Sequence, residues 1–337
     1  MEEMASTVYG PVPSWRFGRS LGIDVILSPK TCTFNCIYCQ LGRTLVRVSG
    51  PGEVKEYVRV EDVERDLSRY LERIDIGSLD AVTFSGSGEP TLNPDLGKMV
   101  EVVRSLVGGR VPLVLLTNAS LLYRDDVRRN VAGFDIVTAK LDGGDEETYH
   151  IINRPVKGMP SLETIIASIK KVKDEIEGKL MTQTMFLHTT YGFTNCDGER
   201  LENLIDVLLD IDPYVIQLDT PYRPGGEGFV RPATVEELKG IGERFKDRMG
   251  RKIAEKRLWI FGEHDMRGRK TSWRRHRPLQ DEAMDLLKRR PCRAVDIADS
   301  LAISYQEAST LLGDLLRKGL VKETISEGER YYRPSSV

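Results

Sequence analysis

Short apolar runs alternate with amphipathic stretches through the first two thirds of the chain, and this alternation constrains the fold most strongly. Apolar runs of this length are typical of buried strands, and apolar residues recurring at i, i+3, i+4 and i+7 indicate helices. The predicted strands are 23–27, 81–84, 111–116, 134–140, 180–187 and 214–218. The predicted helices are 60–74, 94–106, 125–132, 162–176 and 199–209. The order predicts an α/β fold, a partial (β/α)6 TIM-like barrel with its chemistry at the carboxyl ends of the strands.

A smaller second unit is expected after the barrel. A helix is predicted at 235–249, and a Gly- and Arg-rich stretch then changes the pattern. We place a barrel domain at 1–262, a basic linker at 263–277 and a C-terminal domain at 278–337. The elements predicted in the last domain are helices at 279–288, 294–301 and 305–318 and a hairpin over 321–325 and 330–332. Three helices followed by a hairpin predict a winged helix-turn-helix.

The composition is that of an ordinary globular protein. Of the 337 residues, 40% are hydrophobic and 30% are charged, and no apolar run approaches the roughly 18 residues that a membrane-spanning helix needs. The first residues, Met1-Glu2-Glu3-Met4, are acidic where a secretory signal would be basic. We therefore expect a cytoplasmic protein with no membrane partner.

The charge is unevenly distributed along the chain. Residues 244–293 contain 17 Lys and Arg against 7 Asp and Glu, although the whole chain carries a formal net charge of −2. Such a basic band indicates either a binding surface for a polyanion or a solvated face, and both interpretations stay open.

Three cysteines lie within eight residues, at Cys32, Cys36 and Cys39, with the spacing C-x3-C-x2-C. Thiolates are the usual ligands of iron–sulfur clusters, and a [4Fe–4S] cube normally takes four of them. Three thiolates leave one iron free, and an amine and a carboxylate can chelate that iron. A structural zinc site is the alternative, but it needs a fourth Cys or His nearby, and the nearest histidine is His150. Cys196 and Cys292 stand alone and are predicted to be small buried hydrophobes or surface thiols.

The cysteine spacing, with Tyr38 directly before the third cysteine, resembles the radical S-adenosylmethionine (radical SAM) superfamily. The segment Phe84-Ser85-Gly86-Ser87-Gly88-Glu89-Pro90 is similar to the family loop that receives the methionine ammonium. The resemblance implies a [4Fe–4S] cluster on the three cysteines and S-adenosyl-L-methionine as second cofactor. It also implies that Tyr38 contacts the adenine and that Ser87, Gly88 and Glu89 bind the cofactor. A ferredoxin- or flavodoxin-type one-electron donor and sensitivity to oxygen follow from the same resemblance.

Polar residues also end the next two predicted strands. Thr138, Lys140 and Asp142 share one face by strand alternation, and Asn118 follows the strand before. The resemblance implies that Lys140 binds the cofactor carboxylate and that Thr138 and Asn118 contact the ribose. The alternative for Lys140 is a surface residue at a strand end.

The resemblance extends to the wyosine-synthase-like branch of the superfamily, which is named for enzymes that build a tricyclic guanosine in transfer RNA. It rests on the segments 10–14, 18–24, 40–44, 152–155 and 217–221. Residues 1–31 contain no cysteine for the second cluster of the archaeal wyosine synthases. The candidate residues for substrate contact are Asp142, Asn153, Arg154, Asp219 and Arg223.

Two functions of different classes follow. The first is an enzyme that cleaves S-adenosylmethionine reductively to a 5′-deoxyadenosyl radical, which abstracts hydrogen from a substrate. That substrate is an RNA base in our preferred hypothesis, with a protein, a peptide or a small metabolite as alternatives. In this hypothesis the winged helix and the basic band dock the RNA or protein substrate. The second function is an iron–sulfur redox-sensing regulator that binds DNA through the winged helix.

Overall fold

The structure is a computed structural model and describes residues 6–26, 29–266 and 278–335. The strands are β1 Val8–Ser14, β2 Gly18–Asp24, β3 Thr31–Cys32, β4 Val46–Arg47, β5 Ala81–Ser85, β6 Leu113–Thr117, β7 Ile136–Lys140, β8 Lys179–Met185, β9 Leu187–Thr189, β10 Val215–Asp219, β11 Val230–Pro232, β12 Leu258–Ile260, β13 Val321–Ser326 and β14 Glu329–Pro334. The α-helices are α1 Val60–Leu71, α2 Leu96–Val107, α3 Asp125–Val131, α4 Glu146–Asn153, α5 Leu162–Glu175, α6 Gly198–Ile211, α7 Val235–Met249, α8 Arg251–Arg257, α9 Leu279–Arg289, α10 Ala294–Leu301 and α11 Tyr305–Arg317.

One curved sheet of eight strands organises the larger part of the chain. Its strand order is β1-β2-β5-β6-β7-β8-β10-β12. The strands from β2 to β12 run parallel, and β1 pairs antiparallel with β2. Parallel neighbours need crossover connections, and helices supply them. The predicted α/β class and partial barrel are therefore confirmed.

The helices of the barrel pack one apolar stripe onto the sheet. In α2 the buried side chains recur at helical spacing: Leu96, Met99, Val100, Val103 and Val107. Each such side chain contributes about 1.5–3 kcal/mol relative to exposure. The helix ends at Gly108, whose φ of 63° is the left-handed conformation that glycine adopts without strain.

Two strands of the sheet, β1 and β12, and the short helices α4 and α8 were not predicted. The edge strand β1 contains Gly10, Pro11 and Pro13, a composition that indicates a loop, yet an edge strand tolerates proline because one side of it needs no ladder bonds. The short strand β12 and helix α4 carry too few residues for a periodic signal. The strand predicted at 23–27 is placed too late, because β2 spans Gly18–Asp24.

The C-terminal unit consists of α9, α10, α11 and the antiparallel hairpin β13–β14. It has an apolar core of its own, which includes Leu286, Ile297 and Leu312. Tyr9 and Val12 of β1 pack against that core, so the unit rests on the edge strand of the barrel sheet. Its identification as a winged helix-turn-helix, and the domain limits, remain predictions. Most of the predicted basic linker, residues 267–277, lies outside the described residues.

In the described ranges, no helix is both long and apolar enough to cross a membrane.

Candidate functional site

A cavity of about 330 Å³ opens at the carboxyl ends of the barrel strands. Its volume lies within the range of small-molecule sites. The last residues of five neighbouring strands line it: Ser85, Thr117, Lys140, Met185 and Asp219. The cavity therefore lies where parallel α/β sheets place their ligands.

All three clustered cysteines line this cavity. The Cys32 thiol accepts long hydrogen bonds of 3.5 Å from the Phe34 amide and from Asn118 Nδ2. The Cys36 thiol accepts one of 3.5 Å from Asn153 Nδ2. Burial raises the pKa of Cys32 to about 12 and that of Cys36 to about 11. A positively charged ligand is therefore needed to hold these groups as thiolates.

Backbone hydrogen bonds fix the cysteine segment to the end of α4. The Asn35 amide donates to the Asn153 carbonyl at 3.0 Å, and the Ile37 amide donates to the Ile152 carbonyl at 2.9 Å. Asn35 Oδ1 accepts from the Thr44 amide at 2.8 Å, which closes the segment on itself. These hydrogen bonds hold the segment in place on both sides.

The glycine-rich segment after β5 is bonded directly to the cysteine segment. The Thr31 amide donates to the Ser87 carbonyl at 3.1 Å, and the Glu89 amide donates to the Thr31 carbonyl at 3.2 Å. Gly88 is required here because a Cβ atom would lie 1.7 Å from the Thr31 carbonyl oxygen. Asp24, at the end of β2, accepts from the amide and the hydroxyl of Ser87 at 3.1 and 2.9 Å.

The Glu89 carboxylate is buried and strongly hydrogen-bonded. It accepts from the amide and hydroxyl of Thr91 at 3.1 and 2.7 Å, from the Thr117 hydroxyl at 2.6 Å and from the Asn118 amide at 2.7 Å. Burial raises the pKa of Glu89, and these donors oppose the rise. Glu89 therefore joins the ends of β5 and β6 at the cavity wall.

Lys140 and Tyr38 form one contact pair at the cavity. Lys140 Nζ lies 4.7 Å from the centre of the Tyr38 ring, a cation–π distance. The Tyr38 hydroxyl donates to Asp142 Oδ2 at 2.5 Å. Burial, followed by the charge of Asp142, raises the pKa of Tyr38 well above its ordinary value. Tyr38 thus reaches the cavity neutral at physiological pH.

The structure brings ten of the predicted site residues together on the cavity wall. They are Cys32, Cys36, Tyr38, Cys39, Gly88, Glu89, Asn118, Lys140, Asp219 and Arg223. Five others do not line it: Ser87, Thr138, Asp142, Asn153 and Arg154.

Four of these five residues have hydrogen-bond or ion-pair partners elsewhere, and Thr138 is the exception within the described residues. Asp142 is 1% exposed and accepts from Tyr38, from Asn153 Nδ2 at 2.7 Å and from the Met185 amide at 2.9 Å. Arg154 forms an ion pair with Glu227 at 2.8 Å. Thr138 is fully buried below Lys140 on the same strand, and no partner of its hydroxyl lies in the described part of the chain. Asp142 and Asn153 therefore lie outside the cavity and form hydrogen bonds with Tyr38 and Cys36, which line it.

Several lining residues were not predicted. The basic ones are Arg16, Lys30, Arg289 and Arg290, and Gln183 is a neutral addition. The sequence could have indicated Gln183, since it is a polar residue within a predicted buried strand. Arg289 and Arg290 belong to the predicted basic band, but the sequence did not place them at this cavity, because their position depends on how the C-terminal unit docks. Cys196 and Cys292 are buried free thiols that do not line the cavity.

Comparison with known proteins identifies the family. A profile of the Radical SAM superfamily matches residues 26–207. The chain is 34% identical to a UPF0026 protein of Methanocaldococcus jannaschii over 72% of each chain. It is 40% identical to a UPF0026 protein of Synechocystis over 64% of this chain and 76% of that one. The solved structure of native anSMEcpe with bound AdoMet aligns with a TM-score of 0.49 at 16% identity, and the alignment covers 71% of this chain and 63% of that one.

The match spans more than half of the chain and includes the cysteine segment and the glycine-rich segment. Members of this family use a [4Fe–4S] cluster with S-adenosylmethionine and generally take electrons from a ferredoxin- or flavodoxin-type reductant. The chain is therefore an enzyme that belongs to the radical SAM superfamily.

Proposed function

We propose that Cys32, Cys36 and Cys39 hold the [4Fe–4S] cluster and that S-adenosylmethionine occupies the adjoining cavity. When bound, the cluster supplies the electron that cleaves S-adenosylmethionine to methionine and a 5′-deoxyadenosyl radical, which abstracts hydrogen from the substrate. One observation carries the proposal: three thiols, a buried carboxylate and a lysine from separate segments of the chain line one cavity at the carboxyl ends of the sheet.

The donor set fits a cluster better than a single metal ion. A zinc site needs ligands about 2.0–2.3 Å from one point. In residues 6–26, 29–266 and 278–335, no three His, Cys, Asp or Glu side chains converge closely enough for that. In a four-iron cube each thiolate binds a different iron, so the three sulfurs stay further apart. Three thiols on one cavity wall, with no His or fourth Cys among the described lining residues, therefore fit a cluster with one open iron better than a closed zinc site.

Each cofactor contact is proposed for a residue on the cavity wall. Gly88 and Glu89 receive the methionine ammonium, since Gly88 lets the backbone approach and Glu89 brings negative charge. Lys140 binds the carboxylate. Among the described residues the Tyr38 ring is the one partner of the Lys140 ammonium, so this charge is available for the cofactor. Tyr38 and Asn118 contact the adenosyl part. Ser87 and Thr138 stay outside these contacts, and Ser87 acts by holding the glycine-rich segment to Asp24.

We propose an RNA base as the substrate. A second cavity of about 620 Å³ lies between the cysteine segment and the C-terminal unit. Its basic lining residues are Lys30, Arg43, Lys288, Arg289, Arg290, Lys322 and Arg333, and the only acid among the described lining residues is Asp24. This groove shares Lys30, Arg289 and Arg290 with the first cavity, so a phosphate backbone bound there can present a base to the cofactor. The resemblance of the segments 10–14, 18–24, 40–44, 152–155 and 217–221 to the wyosine-synthase-like branch agrees with this choice.

The test of the chemistry is formation of 5′-deoxyadenosine. The protein is reconstituted anaerobically with iron and sulfide, mixed with dithionite and S-adenosylmethionine, and assayed by mass spectrometry. We expect product from the wild type and none from Cys36→Ala. Cys196→Ala is the matched control, because that thiol is also buried but does not line the cavity, and it should retain activity. An intact cluster without product would favour the redox-sensing regulator.

The test of the substrate is the binding of transfer RNA as a function of salt. Lys322→Gln and Arg333→Gln remove two cations from the groove, and each lost phosphate contact reduces the slope of log K against log salt by about 0.9. An unchanged slope in both variants would point to a protein, a peptide or a small metabolite instead.

A further inference from the structure

Three arginines at the cofactor cavity have no role in the proposed binding and cleavage of S-adenosylmethionine. Arg16 reaches the cavity from the turn between β1 and β2, Arg223 from the segment after β10, and Arg290 from the position directly after α9. In each side chain the Nε–H group is buried and has no hydrogen-bond partner in the part of the chain that the structure describes. Buried donors without partners are uncommon, because each costs about 1–3 kcal/mol.

The other contacts of these guanidinium groups are to neutral partners. Arg16 donates to Gln217 Oε1 at 3.4 Å, Arg223 to the Tyr222 hydroxyl at 2.5 Å and Arg290 to the Ser300 hydroxyl at 3.4 Å. Within the described ranges none of the three forms an ion pair. The neighbouring Arg289 differs, since its Nε lies 3.3 Å from Asp24 Oδ2.

The nearest carboxylates are already engaged by other groups. Asp219, which faces Arg16, accepts from Gln183 Nε2 at 2.6 Å and from the Thr220 amide at 2.9 Å. Asp296, which lies within electrostatic range of Arg223 and Arg290, accepts from the amide and Nε of Arg293 at 2.8 and 3.3 Å. Arg16 in turn lies within electrostatic range of Arg223. Arg223 and Arg290 both lie within electrostatic range of Asp296, and all three guanidinium groups line the same cavity.

The charge of the cavity as a whole is unbalanced. Among its described lining residues, Arg289 is paired with Asp24, whereas Arg16, Lys30, Lys140, Arg223 and Arg290 are basic residues without an ion pair and only Glu89 and Asp219 are acidic. Buried charge that is not compensated is costly, so an anion is expected to complete such a site. Lys140 is assigned to the cofactor carboxylate, which leaves the three arginines for another ligand.

We propose that Arg16, Arg223 and Arg290 form a subsite that binds an oxyanion group of the substrate, a phosphate or a carboxylate, beside the cysteine segment. Guanidinium groups suit this task because their planar forks donate two parallel hydrogen bonds to such oxyanions. The proposal rests on the proposed function, since it assumes that the substrate enters the cofactor cavity. It also makes the C-terminal unit a part of the active site, because Arg290 belongs to it.

Anion binding to the anaerobically reconstituted holoenzyme tests the subsite. Inorganic phosphate and acetate are titrated separately by calorimetry, each in the absence and presence of saturating S-adenosylmethionine. We expect one saturable site, weakened about tenfold or more by Arg16→Gln, Arg223→Gln or Arg290→Gln, because hydrogen bonds to charged groups contribute about 1.5–3 kcal/mol. Arg317→Gln is the matched control and should bind as the wild type does, since Arg317 is exposed on α11 and pairs with Asp314.

The outcomes separate the alternatives. Tighter phosphate binding would assign a phosphate-bearing substrate, and tighter acetate binding a carboxylate-bearing one. Absence of saturable binding to the wild type, or equal affinity in all variants, would overturn the subsite. Loss of the site once S-adenosylmethionine is present would also overturn it, because the arginines would then hold the cofactor.

Two further checks separate a loss of anion binding from misfolding and from a failure of the proposed chemistry. The three variants lie in separate segments of the chain, so one that fails to fold, by circular dichroism, leaves the other two to decide. Formation of 5′-deoxyadenosine is measured on the same wild-type sample. Product without anion binding contradicts the subsite alone, whereas anion binding without product contradicts the proposed chemistry alone.

Discussion

At the scale of single residues, Glu89 is expected to affect both the stability of the fold and the binding of the cofactor. Its carboxylate accepts four hydrogen bonds from Thr91, Thr117 and Asn118, and it stands at the cofactor cavity. Glu89→Gln replaces one acceptor oxygen by a donor that faces other donors. We expect it to lower the free energy of unfolding by about 1–3 kcal/mol and to weaken binding of S-adenosylmethionine.

Urea unfolding and calorimetric titration of S-adenosylmethionine measure the two effects of Glu89→Gln separately. Glu64→Gln serves as control, because Glu64 is an exposed residue of α1. Unchanged stability would mean that the four hydrogen bonds contribute nothing. Unchanged cofactor affinity would remove Glu89 from the proposed ammonium contact.

A second residue, Glu227, predicts a dependence on pH. Its carboxylate accepts hydrogen bonds from Arg43 at 3.0 Å and from Arg154 at 2.8 Å. Glu227 therefore links the residues after the cysteine segment to the residue after α4. Burial raises the pKa of Glu227, but the two arginines outweigh it, so the pKa in the folded protein is lowered. The stabilisation is therefore present above the ordinary glutamate pKa and is lost as the pH falls through the folded-state value.

Glu227→Gln tests this dependence. We expect the variant to be less stable than the wild type by up to about 1 kcal/mol near neutral pH, since Arg43 is largely exposed. The difference should be smaller at about pH 3 than at pH 7, because the folded-state carboxylate is protonated only as the pH falls through its lowered pKa. Unfolding by urea at the two pH values gives the comparison, and a constant difference would contradict the titration of Glu227.

At the scale of elements, the last residue of α9 is connected to the cofactor segment. Arg289 forms a buried ion pair with Asp24 at 3.3 Å and donates to the Ser6 carbonyl at 2.7 Å. Asp24 in turn accepts from the amide and hydroxyl of Ser87. A helix of the C-terminal unit thus stabilises the segment that carries Gly88 and Glu89.

Removing one partner of that pair leaves a buried charge without compensation. We expect Arg289→Gln to cost about 3–5 kcal/mol of stability and Asp24→Asn a similar amount. The double variant should cost less than the sum, because the two charges disappear together. Urea unfolding of the four proteins measures this coupling, and additive costs would show that the ion pair contributes little.

The elements also show what a sequence can and cannot predict. Helix α7 and helix α10 have the predicted limits, because each has a strong apolar period and a clear end. The cavity residues at strand ends, such as Lys140, followed from alternation along the strand. Strand β1 was missed because its prolines indicate a loop, and Arg290 was missed because its place depends on docking between units distant in sequence.

At the scale of the whole molecule, β1 is shared between two hydrophobic cores. Val8 belongs to the core of the barrel, whereas Tyr9 and Val12 pack against the core of the C-terminal unit. Arg289 and the hydrogen bond of 3.1 Å from the Tyr331 hydroxyl to the Tyr222 carbonyl add polar contacts between the same two parts. A strand that belongs to both cores couples their unfolding, because neither can lose it without exposing apolar surface.

We therefore expect the two parts to unfold as one cooperative unit. In native-state hydrogen exchange, the slowest amides of β6 and of α11 should report the same free energy of opening in the wild type. Val12→Asp places a charge against the C-terminal core, so α11 amides should then exchange at least about tenfold faster while β6 amides change little. Mass spectrometry of peptides from the two elements measures both rates. Different opening energies in the wild type would show instead that the C-terminal unit detaches while the barrel stays folded. Detachment would separate Arg290 from Arg16 and Arg223, so the arginine subsite would then form only when the two parts close on a substrate.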